Sequence, residues 1–210
     1  MTELVAGAWA GLLLGIFTWQ VAGFFSARYT SLRAGSARQQ AVVIVVGLAW
    51  GAWVGARAAS MPLAVTALLT TALLVIIALV DWRTHYIPNQ LVAALLFWAM
   101  LLAFWQGQPA WPAVLAGSLA AGAAFGLLYW LGRGALGLGD VKLAAALGAL
   151  CGFPAAIPAL LVGMILGGVA AAGLLFTGRA RRGDALAYGP YLLMGAWLVL
   201  TRLWGLWPGS

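Results

Sequence analysis

Residues 62–80 read Pro-Leu-Ala-Val-Thr-Ala-Leu-Leu-Thr-Thr-Ala-Leu-Leu-Val-Ile-Ile-Ala-Leu-Val, a stretch without a charge or a glycine. As a helix at ~1.5 Å per residue it reaches roughly 28 Å, close to the ~30 Å hydrocarbon core of a bilayer. In hydrocarbon every backbone polar group has to find its partner inside the chain, so such a segment crosses as a helix. A porin-like strand would alternate polar and apolar residues, which this run does not. Similar runs bounded by breakers predict further spans at 4–25, 41–56, 90–105, 112–131, 141–151, 154–176 and 185–203. The expected fold is all-α: a polytopic transmembrane helix bundle of about eight spans in one membrane-embedded domain, residues 1–210.

Composition agrees, because 65% apolar and 7% charged residues, with a mean hydropathy of +1.03, leave no room for a large extramembrane domain. Any chemistry therefore belongs to the helices or their short loops. The sixth span is too short to cross alone and is expected to begin inside the protein, where irregular backbone is tolerated. The first apolar stretch opens on Glu3 rather than on basic residues, so it reads as a span and not as a cleaved signal.

A net charge of +7 would suggest nucleic acid in a soluble protein; here it reports orientation, and the partner it implies is the lipid bilayer. With the N-terminus outside, inner loops hold Arg28, Arg33, Arg38, Arg83, Arg133, Lys142, Arg179, Arg181 and Arg182, against Arg57 and Arg202 outside. Arg28, Arg33, Arg38 and the 179–182 cluster read simply as orientation determinants. The G-x-x-x-G pairs Gly122/Gly126 and Gly163/Gly167 predict close helix packing within the chain. Cys151 is the single cysteine and His85 the single histidine, so neither a disulfide nor a histidine- or cysteine-rich metal site is expected, and no cofactor is implied.

Four acids remain. Glu3 is terminal and Asp184 sits in a basic loop, where both read as solvated charges. Asp81 and Asp140 each stand where an inner loop meets a span, and ionisable groups in a membrane are functional candidates by default. Asp81 closes the run Ala72–Val80 and opens Asp81-Trp-Arg83-Thr-His85-Tyr-Ile87-Pro88-Asn89, where Asn89 as a helix cap and a local Asp81–Arg83 pair offer a structural account. Asp140 follows Gly132-Arg-Gly134-Ala-Leu-Gly137-Leu-Gly139, and alone it reads equally well as a helix N-cap. Two carboxylates sharing a low-dielectric site cannot both stay ionised, so one holds a proton. The ionised member can then activate water against a peptide carbonyl while the protonated one donates to the carbonyl oxygen. Such a dyad titrates as a unit, which leaves base and acid unassigned.

These residues resemble the type IV prepilin peptidases, membrane aspartic proteases of the G-x-G-D group. The likeness rests on Asp81 followed by Ile87-Pro88-Asn89-Gln90-Leu91, on Gly137-Leu-Gly139-Asp140-Val-Lys142-Leu143, and on Ala187-Tyr188-Gly189-Pro190-Tyr191-Leu192. Gly11-Leu-Leu-Leu-Gly15-Ile-Phe17 adds a similar first span. The resemblance implies Asp81 and Asp140 as catalytic pair, with Lys142, Gly137, Gly139, Pro88, Asn89, Gly189 and Pro190 supporting the site. It implies an inner-membrane enzyme that cuts the short basic leader from prepilins or pseudopilins at the cytoplasmic face, in pilus assembly or protein secretion. The inner loop over 26–40 is short and lacks the cysteine-bearing region that bifunctional members use for N-methylation, so methyltransferase activity is not expected. Two alternatives stand beside this reading. Gly137-Leu-Gly139-Asp140 also resembles presenilin-type intramembrane proteases, although their first aspartate follows a tyrosine and Asp81 follows Val80. A proton-coupled transporter would use both aspartates as relay groups, near mid-membrane.

Overall fold

The structure, a computed structural model, describes residues 2–29, 36–132, 136–178 and 187–206. Among these residues there are eight helices and no strand: α1 (Thr2–Tyr29), α2 (Ala37–Arg57), α3 (Met61–Thr84), α4 (Asn89–Gln106), α5 (Trp111–Leu131), α6 (Leu138–Cys151), α7 (Ala156–Phe176) and α8 (Gly189–Leu203). Six of them, α1 to α5 and α7, are long and apolar enough to cross a membrane. The chain is an all-α polytopic membrane protein. With 14 and 15 residues, α6 and α8 reach only about 21 and 23 Å.

Helix ends differ from the sequence expectation where local capping or packing extends or trims a span. Both helices reach into the loop expected over 26–40, because α1 runs to Tyr29 and α2 starts directly after Ser36. Ser36 Oγ accepts from the Gln39 amide at 3.3 Å while the Ser36 amide donates to Gln39 Oε1 at 3.1 Å, a reciprocal cap that fixes the start of α2. α6 ends at Gly152, whose φ of +69° suits glycine, and α7 begins at Ala156 instead of 154. α8 begins at Gly189 instead of 185. Arg33, Arg133, Gly134, Arg179, Arg181, Arg182 and Asp184 lie outside the described residues.

The chain divides into two compact units, Met1–Thr84 with Leu200–Ser210, and His85–Val199. In the first, α1 lies most extensively against α2. Gly7, Gly11 and Gly15 of α1 face Gly47, Gly51 and Gly55 of α2, and a Cβ on Gly11 or Gly51 would strike the carbonyl oxygen of Gly47 or Gly7. Backbones approach this closely only where side chains are absent, the usual way helices associate in lipid. Val54, Ala67, Leu68 and Leu206 form a core of this unit, closed by a bond from Trp53 Nε1 to the Leu206 carbonyl at 3.1 Å.

The second unit is built around its shortest helix. α6 packs on α4, α5 and α7, and Leu143, Ala144 and the whole run Ala146–Cys151 are buried. A helix apolar on every side is stable only when other helices surround it, which explains how so short a span is kept inside the protein. Cys151 is a buried free thiol within this packing. The tight crossing of α5 and α6 falls at Gly117 and Gly148, whereas Gly126 faces open space and Gly122 meets only the Ala145 side chain. Close packing therefore holds for Gly163, whose Cβ would come 2.7 Å from Leu192 Cα, and for Gly122, whose Cβ would come a tight 3.3 Å from Ala145 Cβ, but not for Gly126.

Candidate active site

Asp81 belongs to the first unit, in the last turn of α3, and is only 4% exposed. Thr84 Oγ1 donates back to the Val80 carbonyl at 2.8 Å. His85 then takes a positive φ of 49° and ends the helix, a conformation that histidine tolerates better than most residues. In place of the local Asp81–Arg83 pair expected from sequence, the Arg83 guanidinium lies 4.2 Å from the centre of the Trp19 ring, and its Nη1 and Nη2 make no hydrogen bond among the described residues; residues two apart on a helix point to different faces.

In the second unit two segments far apart in sequence meet, and a third comes within electrostatic reach of them. The first is the start of α4, where buried Pro88 is the N-cap, with its carbonyl accepting from Leu91 and Val92 at 3.0 and 3.2 Å. Asn89 is thus not the cap expected from sequence. Its side chain works across the unit, as Lys142 Nζ donates to Asn89 Oδ1 at 3.1 Å. The second segment is the start of α6. Asp140 is not the N-cap itself; it lies three residues into the capping arrangement, and its Oδ2 accepts from the amide of the N-cap, Gly137, at 3.1 Å. A Cβ on Gly137 would come 3.2 Å from that oxygen, so any side chain there crowds the carboxylate. Gly139 faces Ile87, and a Cβ on it would lie an ordinary 3.5 Å from Ile87 Cβ. The glycine at 137 is thus required by the carboxylate more directly than the one at 139.

The third segment is Ala187–Pro190, where α8 begins. Tyr188 Oη donates to the Met164 carbonyl at 3.2 Å, and its ring is seated against Gly167, where any Cβ would collide with it. Burial, and after it the charge of Asp140, pushes the Tyr188 hydroxyl above its usual range, so the phenol stays protonated. Gly189 is buried and Pro190 partly so, as the first residues of α8. The I-P-N and G-x-G-D motifs are therefore joined twice, through Lys142–Asn89 and Gly139–Ile87, with Tyr188 within electrostatic reach of Asp140. Ile87 and Tyr188 stand inside their motifs, but as uncharged residues they carry no sequence signal that marks them as part of the site. Among the described residues no group of three His, Cys, Asp or Glu could hold a metal ion.

The model of the type IV leader peptidase family matches residues 68–172, half of the chain, including Asp81 and Asp140. The chain belongs to the type IV leader peptidase family. It is 32% identical over 144 residues to the prepilin leader peptidase/N-methyltransferase of Aeromonas salmonicida (strain A449), covering 66% of this chain and 49% of that protein. The protein of the same description from Xanthomonas campestris pv. campestris is 32% identical over 146 residues, 66% of this chain and 50% of its own. That of Pseudomonas putida is 29% identical over 137 residues, covering 63% and 47%. This member of the family spans about half the length of the curated relatives it matches. No solved structure matches it.

Proposed function

We propose that the chain is an aspartic endopeptidase that removes the short basic leader from type IV prepilins or pseudopilins, with residues 1–210 acting as one membrane-embedded peptidase domain. The observation that carries this reading is the family match over a segment that contains both acid-bearing motifs. Asp81 and Asp140 are the dyad. The ionised member takes a proton from a water, which adds to the peptide carbonyl carbon; the protonated member donates to the carbonyl oxygen. The roles reverse as the amine leaves. Both acids stand at helix ends rather than at mid-span, which supports peptidase over proton relay. Purified chain in lipid should cut a reporter carrying a basic leader, a glycine and an apolar helix; an intact reporter refutes the proposal.

Lys142 and Asn89 hold the start of α6 to the start of α4 and so set the position of Asp140. Lys142→Met and Asn89→Ala should each lower kcat/KM by about tenfold at most, the worth of one hydrogen bond. Because they share that bond, the double variant should lose no more than either single one, and additive losses would show that they act separately.

We place the enzyme in the inner membrane with its site facing the cytoplasm, on the strength of the lysine and arginine distribution. Cleavage then falls in the extended segment just inside the membrane, since a helical peptide bond is hydrogen-bonded and shielded. A cysteine at Thr84 should label only from the cytoplasmic side and one at Gln108 only from outside; the opposite pattern inverts the orientation. The released product should keep an unmethylated amino terminus, because the connection between α1 and α2 is short and cysteine-free. One added methyl group, seen by mass spectrometry with a methyl donor present, would overturn this.

A further inference from the structure

The first unit has a cleft of about 320 Å³ where α2 begins and α3 ends, lined by apolar Val42, Val43 and Leu79 and by polar Arg38, Gln39 and Arg83. Arg83 is its odd member. Nη1 and Nη2 are shielded from water and have no hydrogen-bond partner among the described residues, while the guanidinium lies over the Trp19 ring. The ring offsets part of the desolvation but brings no negative charge. No acid lines the cleft, and its second charge is another cation, Arg38, on the exposed first turn of α2, where the helix dipole also favours an anion. The apolar wall continues onto Val42, Val45 and Val46, which are 56, 64 and 60% exposed along one stripe of α2. The occupant that fits has a negative head and a hydrocarbon tail. A basic leader peptide would be repelled, and a small soluble anion would leave the apolar wall uncovered.

We propose that this cleft binds an anionic phospholipid: its phosphate takes hydrogen bonds from Arg38, the fixed charge of Arg83 stands behind it, and an acyl chain follows the valine stripe. The assignment does not depend on the peptidase reading. Native mass spectrometry of the full chain in mild detergent, titrated with phosphatidylglycerol or phosphatidylcholine, tests it. Phosphatidylglycerol should be retained in preference, Arg38→Gln should weaken that retention about fivefold, the worth of one arginine at a membrane surface, and Arg38→Lys should largely preserve it. Arg38 is exposed, so its loss leaves folding intact and keeps the result interpretable. Arg83→Gln should weaken retention too, with a thermal melt run alongside because Arg83 packs on Trp19. Equal retention of the two lipids, or phosphatidylglycerol binding unmoved by Arg38→Gln, overturns the proposal. Displacement of the lipid by inorganic phosphate at matching concentration would show a soluble-anion site instead and also overturn it.

Discussion

Asp81→Asn and Asp140→Asn should each reduce leader cleavage by about 10³-fold, while helix content and membrane insertion stay as they are. Asparagine has nearly the volume of aspartate but cannot take or give the proton that the reaction needs. At position 140 the swap isolates the chemistry, because the amide oxygen of asparagine can still accept from the Gly137 N–H and keep the start of α6 capped. Asp140→Ala removes that cap as well and should lower stability by about 1 kcal/mol, which separates the structural from the chemical role. Reporter cleavage followed by gel mobility, beside circular dichroism melts, reads all three. Residual cleavage near a tenth of the parent rate in either asparagine variant would remove that residue from the dyad.

The spans were legible because hydrocarbon admits few alternatives: apolar runs between breakers match the eight helices of the described residues to within a few residues. Their ends were less so, since Ser36 and Gln39 cap each other, and α1 runs on past Arg28, whose guanidinium lies over the Phe24 ring, 5.1 Å from the centre. Of the candidate site, the two aspartates stood out because charge in a membrane is rare. What they meet was not legible. Asn89 looked like a cap because only its sequence neighbours were in view, and its real partner, Lys142, is 53 residues away. Ile87 and Tyr188 carry no charge, so nothing in their chemistry separates them from core residues. The glycine pairs teach the same lesson. Gly126 has the spacing of a packing face and no neighbour, while Gly117 lacks that spacing to Gly122 and makes the tight crossing. Spacing shows that a helix can be approached closely; which helix does so is decided by the fold.

The α1–α2 seam yields the largest expected effect on stability, and two alanines of opposite sign expose it. Each exchange of a helical glycine for alanine gains about 1 kcal/mol of helix propensity. At Gly23 of α1 a Cβ meets nothing within 4 Å, so Gly23→Ala should stabilise by up to that amount. At Gly51 the same Cβ would strike the Gly7 carbonyl and lie 2.6 Å from Gly11 Cα. These are backbone atoms that no rotamer change can move, so the helices must separate along their length. In lipid there is no hydrophobic force to hold them once dispersion contacts are lost. Taking the upper part of the ~1–3 kcal/mol range for overpacking, less the propensity gain, Gly51→Ala should destabilise by about 2 kcal/mol, a fall in Tm of roughly 4–8 °C. Thermal melts in detergent measure both. Two variants that shift Tm in the same direction would mean that the seam does not hold the first unit together. The seam itself lies apart from Asp81, which stands in the last turn of α3, whereas Gly7, Gly11, Gly47 and Gly51 belong to α1 and α2. Gly51→Ala should therefore lower leader cleavage only as the folded fraction falls, with KM unchanged in the molecules that remain folded, because the seam positions α1 and touches no substrate.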